Sequence, residues 1–421
     1  MKRSCERWVQ LVLAFCAAVT LHAIFLTLME LSPVWPWSAV SPARPPDGRG
    51  VDLRIAPPQK GRPGRGPFVP APPPPEAQLN DPKTHRPGLL GLRGVKTSED
   101  LGDDGMALEA ALAWLDRHQL PDGGWSASQD CGFAACTAAR SATSHAGATS
   151  IALLAYLADG ITHLDRRTYT EHVTGRMFSR GQSVKGAVKW LINNSKDSKV
   201  WAPHDQALAA LALTEIYGLT RSGLFRPHAQ AYIDSLLARY AWGIRWRTVE
   251  GHAVRDAEAA AWMLMAISIG REAGLKLPED AMPDAVETLL ADESNSRLLR
   301  VSMASSCHLR LLSSVSSTDW MRAFRSEQLE PGAPDSPDLH ALHWALLAAR
   351  KESSFRPAAW KSWRDPAVTL VVESQRRESS ACLAGSWDPP EDARLGRTGS
   401  TAQNALTLLT WKRYAPAKPP K

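Results

Sequence analysis

The chain of 421 residues carries a formal net charge of +6, with 31 prolines and 16 tryptophans against 6 tyrosines. A composition that is 44% hydrophobic and 22% charged excludes wholesale disorder, and six cysteines are too sparse for a disulfide-framework mini-protein. Residues 1–32 carry 3 basic and 2 acidic side chains, residues 33–96 carry 10 and 4, and the remainder 36 and 37. The basicity therefore belongs to the first 96 residues, and a nucleic-acid partner for the neutral main body is not expected.

Residues 1–8 form a short basic tail with Lys2, Arg3 and Arg7. Residues 9–31 follow as a run broken only by a few polar side chains, long enough to cross a hydrocarbon core as a retained helical anchor, with a cleaved signal peptide as the alternative. The cationic flank before it favours a cytoplasmic N-terminus, which places the rest of the chain on the periplasmic side of a bacterial inner membrane. His22 is an ionisable group in the middle of this run, and such a group in a membrane is a candidate for function. Residues 32–99 are rich in proline, glycine and arginine, densest at Pro72–Pro75, a composition that favours an extended, solvated tether over a packed core.

A short tail, a histidine-bearing helix and a proline-rich arm together resemble the energy-transducing TonB-type proteins. In that family a serine lies four residues before the histidine, and here the position is Ala18. The resemblance implies an envelope-complex or mechanical role for the anchor and arm.

Residues 100–416 alternate amphipathic and strongly apolar helical segments, with residues 417–421 as a tail. The periodicity predicts pairs at 106–119 with 144–158, 182–194 with 205–217, 227–240 with 256–270, 282–292 with 296–312, about 317–327 with 338–350, and about 364–377 with 399–414. Segments apolar on nearly all faces demand burial, while amphipathic partners suit an outer shell. Six such pairs predict an all-α fold, an α6/α6 toroid of two concentric layers.

Thirteen of the tryptophans lie beyond residue 100, several at equivalent points of the repeat. Trp114-Leu115, Gln119, Gly123 and Trp125 match the second half of the QW motif of squalene-hopene cyclases, and Lys185-Gly186 with Trp190-Leu191 match its first half. Degenerate copies occur at Trp246 and at Gln375 with Gly385-Ser386-Trp387. In such a motif glutamine and backbone groups tie the end of a helix while indole packs over the turn, so its role is structural. Over nearly all of 105–415 the chain resembles bacterial prenyltransferase and squalene-oxidase repeat proteins of the terpenoid cyclase and protein prenyltransferase superfamily. The resemblance implies an α/α toroid far more strongly than any activity.

Class II terpenoid cyclases of that superfamily protonate substrate with a D-x-D-D acid, and the chain contains no such motif. Its nearest counterpart is Asp256-Ala257-Glu258, in which Glu258 stands near the donor position and Asp256 reads as a helix N-cap. The Asp-x-Cys zinc pair of protein prenyltransferases and the thioester sequence of complement-type domains are also absent. Cys307, His308, His340 and His343 are potential ligands on neighbouring apolar segments, though scattered histidines are commoner than metal sites. No cofactor or metal is expected.

His204 can reach a central cavity from the start of its helix, while Asp205 reads as a capping or first-turn acid. Trp262, Trp344 and Trp411 fall within apolar segments, where they line a pocket or fill the core. Cys131 and Cys136 either close a small loop disulfide in an oxidising compartment or stand as two unpaired loop thiols. The expectation is a membrane-anchored toroid that binds a hydrophobic ligand or a protein partner without evident catalytic machinery. The competing expectations are a divergent isoprenoid cyclase or transferase, marked by Glu258, and a TonB-like transducer, marked by His22.

Overall fold

A computed structural model describes residues 102–128, 144–171, 173–195, 201–241, 245–247, 251–278, 338–352, 357–377, 382–390 and 393–410. All belong to one unit, Pro75–Lys421. The anchor with His22, the proline-rich arm, the helix pair expected at 282–312, the first member of the next pair and Trp411 lie outside the described residues. Among the described residues no helix is long and apolar enough to cross a membrane.

The described chain is helix-rich. In order it forms α1 (Gly102–His118), α2 (His145–Ala158), α3 (Arg180–Asn193), α4 (Pro203–Thr220), α5 (Arg226–Arg239), α6 (Ala257–Ala273), α7 (Leu339–Glu352), α8 (Pro357–Glu373) and α9 (Gly396–Leu408). Among the described residues the expected segments are helical, with shifted ends. Helix α1 begins four residues before the expected Met106, because Asp103 and Asp104 complement the positive N-terminal end of the helix. Helix α8 begins at Pro357, well before 364, with Pro366 inside it.

Caps set the starts of the apolar helices. The Ser144 side chain accepts from the Gly147 amide at α2, and the Asp256 side chain accepts from the Ala259 amide at α6. At α4 Ala202 occupies the cap, and Pro203 stands at the first helical position, where its missing N–H is no loss. Asp205 is therefore a first-turn acid of α4 rather than its cap.

Every residue of α2 from Ala146 to Ala158, and of α4 from His204 to Tyr217, is buried. These helices and α6 are apolar nearly all round and pack side by side. Contacts run from α6 to α4, α4 to α2, α2 to α9 and α9 to α7. The amphipathic helices lie against this inner layer, α3 on α2, α5 on α4, and α8 on both α7 and α1. Thus the last described helix pair packs on the first, α9 against α2 and α1, and α8 against α1.

The turns between outer and inner helices explain the recurring tryptophans and glutamines. After α1, Gln119 Nε2 donates to the Gly123 carbonyl and to the Ser183 carbonyl of the next outer helix, both at 2.8 Å. Trp125 Nε1 donates to the Leu115 carbonyl at 2.8 Å. After α8, Gln375 Nε2 donates to the Gly385 carbonyl at 2.9 Å and to the Ala107 carbonyl of α1 at 2.8 Å, while Trp387 Nε1 donates to the Val371 carbonyl at 2.8 Å. The second turn holds α1 as the first holds α3. Gly123 has φ +95° and Gly385 φ +92°, and a Cβ would come within 2.6 Å of the Gly186 backbone in one case and 2.3 Å of the Ala110 carbonyl oxygen in the other. Only glycine meets both demands.

Trp114 and Trp246 are buried, whereas half-buried Trp190 lies against Gly124 and donates to Asp122 Oδ2 at 3.1 Å. Trp246 departs from the pattern: its Nε1 donates to the Asp256 carbonyl, at the start of the following inner helix. It sits in a small antiparallel sheet, β3 (Tyr240–Ala241), β4 (Arg245–Arg247) and β5 (Ala253–Arg255), and a second hairpin joins β1 (Tyr169–Thr170) to β2 (Met177–Phe178). The helical periodicity did not predict these strands, since two- and three-residue strands are too short for an alternating pattern.

Cys382 is disulfide-bonded. The other five cysteines, including Cys131, Cys136 and Cys307, lie outside the described residues. The Cys382 carbonyl accepts from Trp114 Nε1 at 2.6 Å, which ties the bonded cysteine to the first outer helix.

Candidate functional site

The inner helices α4, α6 and α7 each place a polar side chain at their second residue: His204, Glu258 and His340. The fold brings all three together. Glu258 Oε1 lies 3.3 Å from His204 Nε2 and 3.5 Å from His340 Nε2, and accepts from Trp262 Nε1 at 3.2 Å. The Trp262 contact spans one helical turn, four residues along α6, the spacing at which side chains meet on one face.

Two further side chains steady the imidazoles. Asp205 Oδ1 lies 3.4 Å from His204 Nδ1, and Gln403 Nε2 on α9 lies 2.7 Å from His340 Nδ1. At the edge of the cluster Arg394 pairs with the capping Asp256 through Nη1 and Oδ2 at 2.7 Å. Asp256 is thereby both a helix cap and the ion-pair partner of Arg394.

Burial opposes charge at both central groups, but their mutual attraction prevails. The His340 and His204 imidazoles, with hydrogen bonds from His204 and Trp262, hold the Glu258 carboxyl well below the usual carboxylate range. Glu258 and Asp205 in turn raise His204 to about 10 despite its burial. Glu258 is thus an ionised carboxylate facing an imidazolium. His204 is 3% exposed, whereas the side chains of Glu258 and His340 are 26% and 27% exposed, so the cluster opens to solvent on the carboxylate side.

Trp262 and Trp344 lie beneath this cluster with ring centroids 4.6 Å apart, and His343 stacks on Trp262 at 5.9 Å. Both indoles are fully buried, so they pack the core under the site. Among the described residues no three His, Cys, Asp or Glu side chains are arranged to hold a metal ion.

Another carboxylate, buried and absent from the sequence candidates, ties four elements together. Asp116 on α1 accepts from Tyr156 Oη of α2 at 2.9 Å, Tyr169 Oη of β1 at 2.5 Å and Ser183 Oγ of α3 at 2.6 Å. Arg180 Nε stands 3.6 Å away, and Arg180 itself pairs with Glu109. Here burial is the largest influence and pushes the carboxyl above its ordinary value, although the hydroxyl donors and Arg180 pull the other way.

His204, Asp205, Asp256, Glu258, Trp262 and His340 of this cluster were each named from the sequence, but in separate roles, His340 as a possible metal ligand. The signal that could have joined them is that His204, Glu258 and His340 share the second position of their helices. Gln403 and Arg394 come from the distant C-terminal segment and have no local mark. No known family's sequence profile matches the chain, and no curated protein matches it.

Proposed function

We propose that the chain is a membrane-anchored α/α toroid that binds a ligand or a protein partner at the Glu258 cluster, with no proton-donor chemistry there. The observation that carries this reading is the pairing of Glu258 Oε1 with His204 Nε2 at 3.3 Å and His340 Nε2 at 3.5 Å. A carboxyl that protonates an alkene must hold its proton near neutral pH, which calls for a raised pKa. Glu258 is held ionised instead by His204 and His340, with its side chain partly open to solvent. Such a group accepts hydrogen bonds or pairs with a positive group of an incoming partner. It opposes the isoprenoid-cyclase reading.

The toroid is supported by the equivalence of the first and last turns. Gln375 holds α1 as Gln119 holds α3, so the repeat runs on from the last pair to the first, as a closed ring requires. Placement on the periplasmic side, with residues 9–31 as the anchor and residues 1–8 cytoplasmic, is supported by the disulfide at Cys382, because such bonds persist in oxidising compartments.

Native mass spectrometry of the full-length, detergent-extracted protein tests the reading. A co-purifying adduct or partner that is lost from Glu258→Gln supports it. Turnover of a polyprenyl substrate by the wild-type chain, abolished in Glu258→Gln, would overturn it.

A further inference from the structure

A cavity of about 820 Å³ opens between α1, the β1–β2 hairpin and the turn after α8, and shares no residue with the Glu258 cluster. Its walls are mainly apolar: Met106, Ala110 and Ala113 on α1 face Val173 on the hairpin. Met106 is 66% exposed and Val173 43%, so two large apolar side chains stand open to water at one cavity. The volume suits a lipid-sized or drug-sized molecule.

The charges around it are unevenly matched. Four arginines line the cavity, and three have acidic partners: Arg117 with Glu171 at 2.7 Å, Arg180 with Glu109 at 2.5 Å and Arg376 with Asp388 at 3.5 Å. Arg377 is the exception. Its Nη2 donates to the Val372 carbonyl at 3.2 Å, and it has no acidic partner among the described residues. Of the three lining carboxylates, Glu109 and Glu171 are taken by Arg180 and Arg117, while Asp103 lies in the first turn of α1. That turn already supplies a positive potential to Asp103. An exposed guanidinium with spare donors thus stands beside an apolar hollow.

The structure assigns this cavity to an anionic amphiphile, an aliphatic chain bearing a carboxylate or phosphate, with the chain along α1 and the head group on Arg377. The chain removes Met106 and Val173 from water, and the planar guanidinium suits an oxyanion. Such a molecule can be a free amphiphile or a membrane lipid.

Photolabelling of the full-length protein in zwitterionic-lipid nanodiscs tests the assignment with two probes, a free diazirine-bearing dodecanoate and a phosphatidate carrying the same group on its chain. Saturable labelling of the α1 and β1–β2 peptides by either probe supports it and names the source. With either probe, competition by dodecyl phosphate is expected and competition by dodecyltrimethylammonium is not. Ala113→Trp, which fills the hollow, should abolish labelling, and Arg377→Glu should weaken it about tenfold. Should Ala113→Trp fail to fold, Val173→Trp on the exposed hairpin serves as the plug. Labelling by neither probe, labelling that survives the folded plug, or equal competition by the cationic amphiphile would overturn the assignment.

Discussion

Asp116 and Glu258 are both carboxylates enclosed among helices, and their surroundings drive them in opposite directions. Asp116 is buried and receives three neutral hydroxyl donors, with the Arg180 guanidinium 3.6 Å away, and burial raises its pKa. Glu258 faces an imidazolium and lies partly open, and its pKa is depressed. Hydroxyls satisfy an oxygen's lone pairs without neutralising its charge, whereas His204 does both. The first arrangement is a joint between α1, α2, α3 and β1. The second keeps a fixed charge at the solvent boundary, where a partner can meet it.

The largest expected effect is at the joint. Asp116→Ala removes the acceptor of the Tyr169 hydroxyl, the shorter of two acceptors of the Tyr156 and Ser183 hydroxyls and one neighbour of Arg180, and should cost about 3–5 kcal/mol in urea unfolding. A loss below about 1 kcal/mol would mean that the donors find other partners and that the joint is not structural. Because the Asp116 pKa is raised, its contribution is present below the unfolded value of 3.8 and is lost as pH rises through the folded value. Asp116→Asn should remove that descent from the stability profile while keeping one acceptor oxygen.

Glu258→Gln comes next, at about 2–3 kcal/mol near neutral pH after allowance for the exposed side of the carboxylate. The pH signature is the sharper test. His204 has a folded pKa of about 10 against 6.5 unfolded, so its stabilisation is complete below pH 6.5 and is lost as pH rises toward 10. Glu258 has the opposite sign: its contribution is present above pH 4.5 and falls away as acid titrates the carboxylate. The wild-type pair is therefore most stabilising between about pH 4.5 and 6.5. Glu258→Gln should flatten the alkaline limb and bring the His204 titration, followed by NMR, down toward its ordinary range. An unchanged His204 titration would dissolve the contrast between the two carboxylates.

The sequence disclosed the scaffold on which both clusters hang more readily than the clusters themselves. Helix pairs leave a periodic apolar pattern, and the QW-type turns leave Gln119, Gly123 and Trp125, with the sparser copy Gln375, Gly385 and Trp387. In each such turn the glutamine makes one bond within the turn and one to the neighbouring outer helix. Gln119→Ala and Gln375→Ala should accordingly cost about 1–2 kcal/mol each, and similarly, since each loses two equivalent bonds. The Asp116 joint was not legible because its donors are 40, 53 and 67 residues away in the chain. Glu258 was legible as a first-turn acid, but its depressed pKa depends on His204 and on His340, which only the packing of α4, α6 and α7 supplies.

The smallest effect separates the two histidines. His340 approaches Glu258 only to 3.5 Å, its side chain is 27% exposed, and Gln403 holds its other nitrogen. A partly exposed, long contact of this kind contributes about 0.5–1 kcal/mol, so His340→Ala should move the unfolding midpoint less than Glu258→Gln. Its consequence for binding is larger, because removing the ring uncovers the solvent-facing side of the carboxylate without disturbing His204 beneath it. A co-purifying partner of Glu258 should therefore change in occupancy in His340→Ala while stability and the His204 titration hold. If stability drops as far as in Glu258→Gln, the two imidazoles act as one structural clamp, and the cluster is a second joint like that around Asp116.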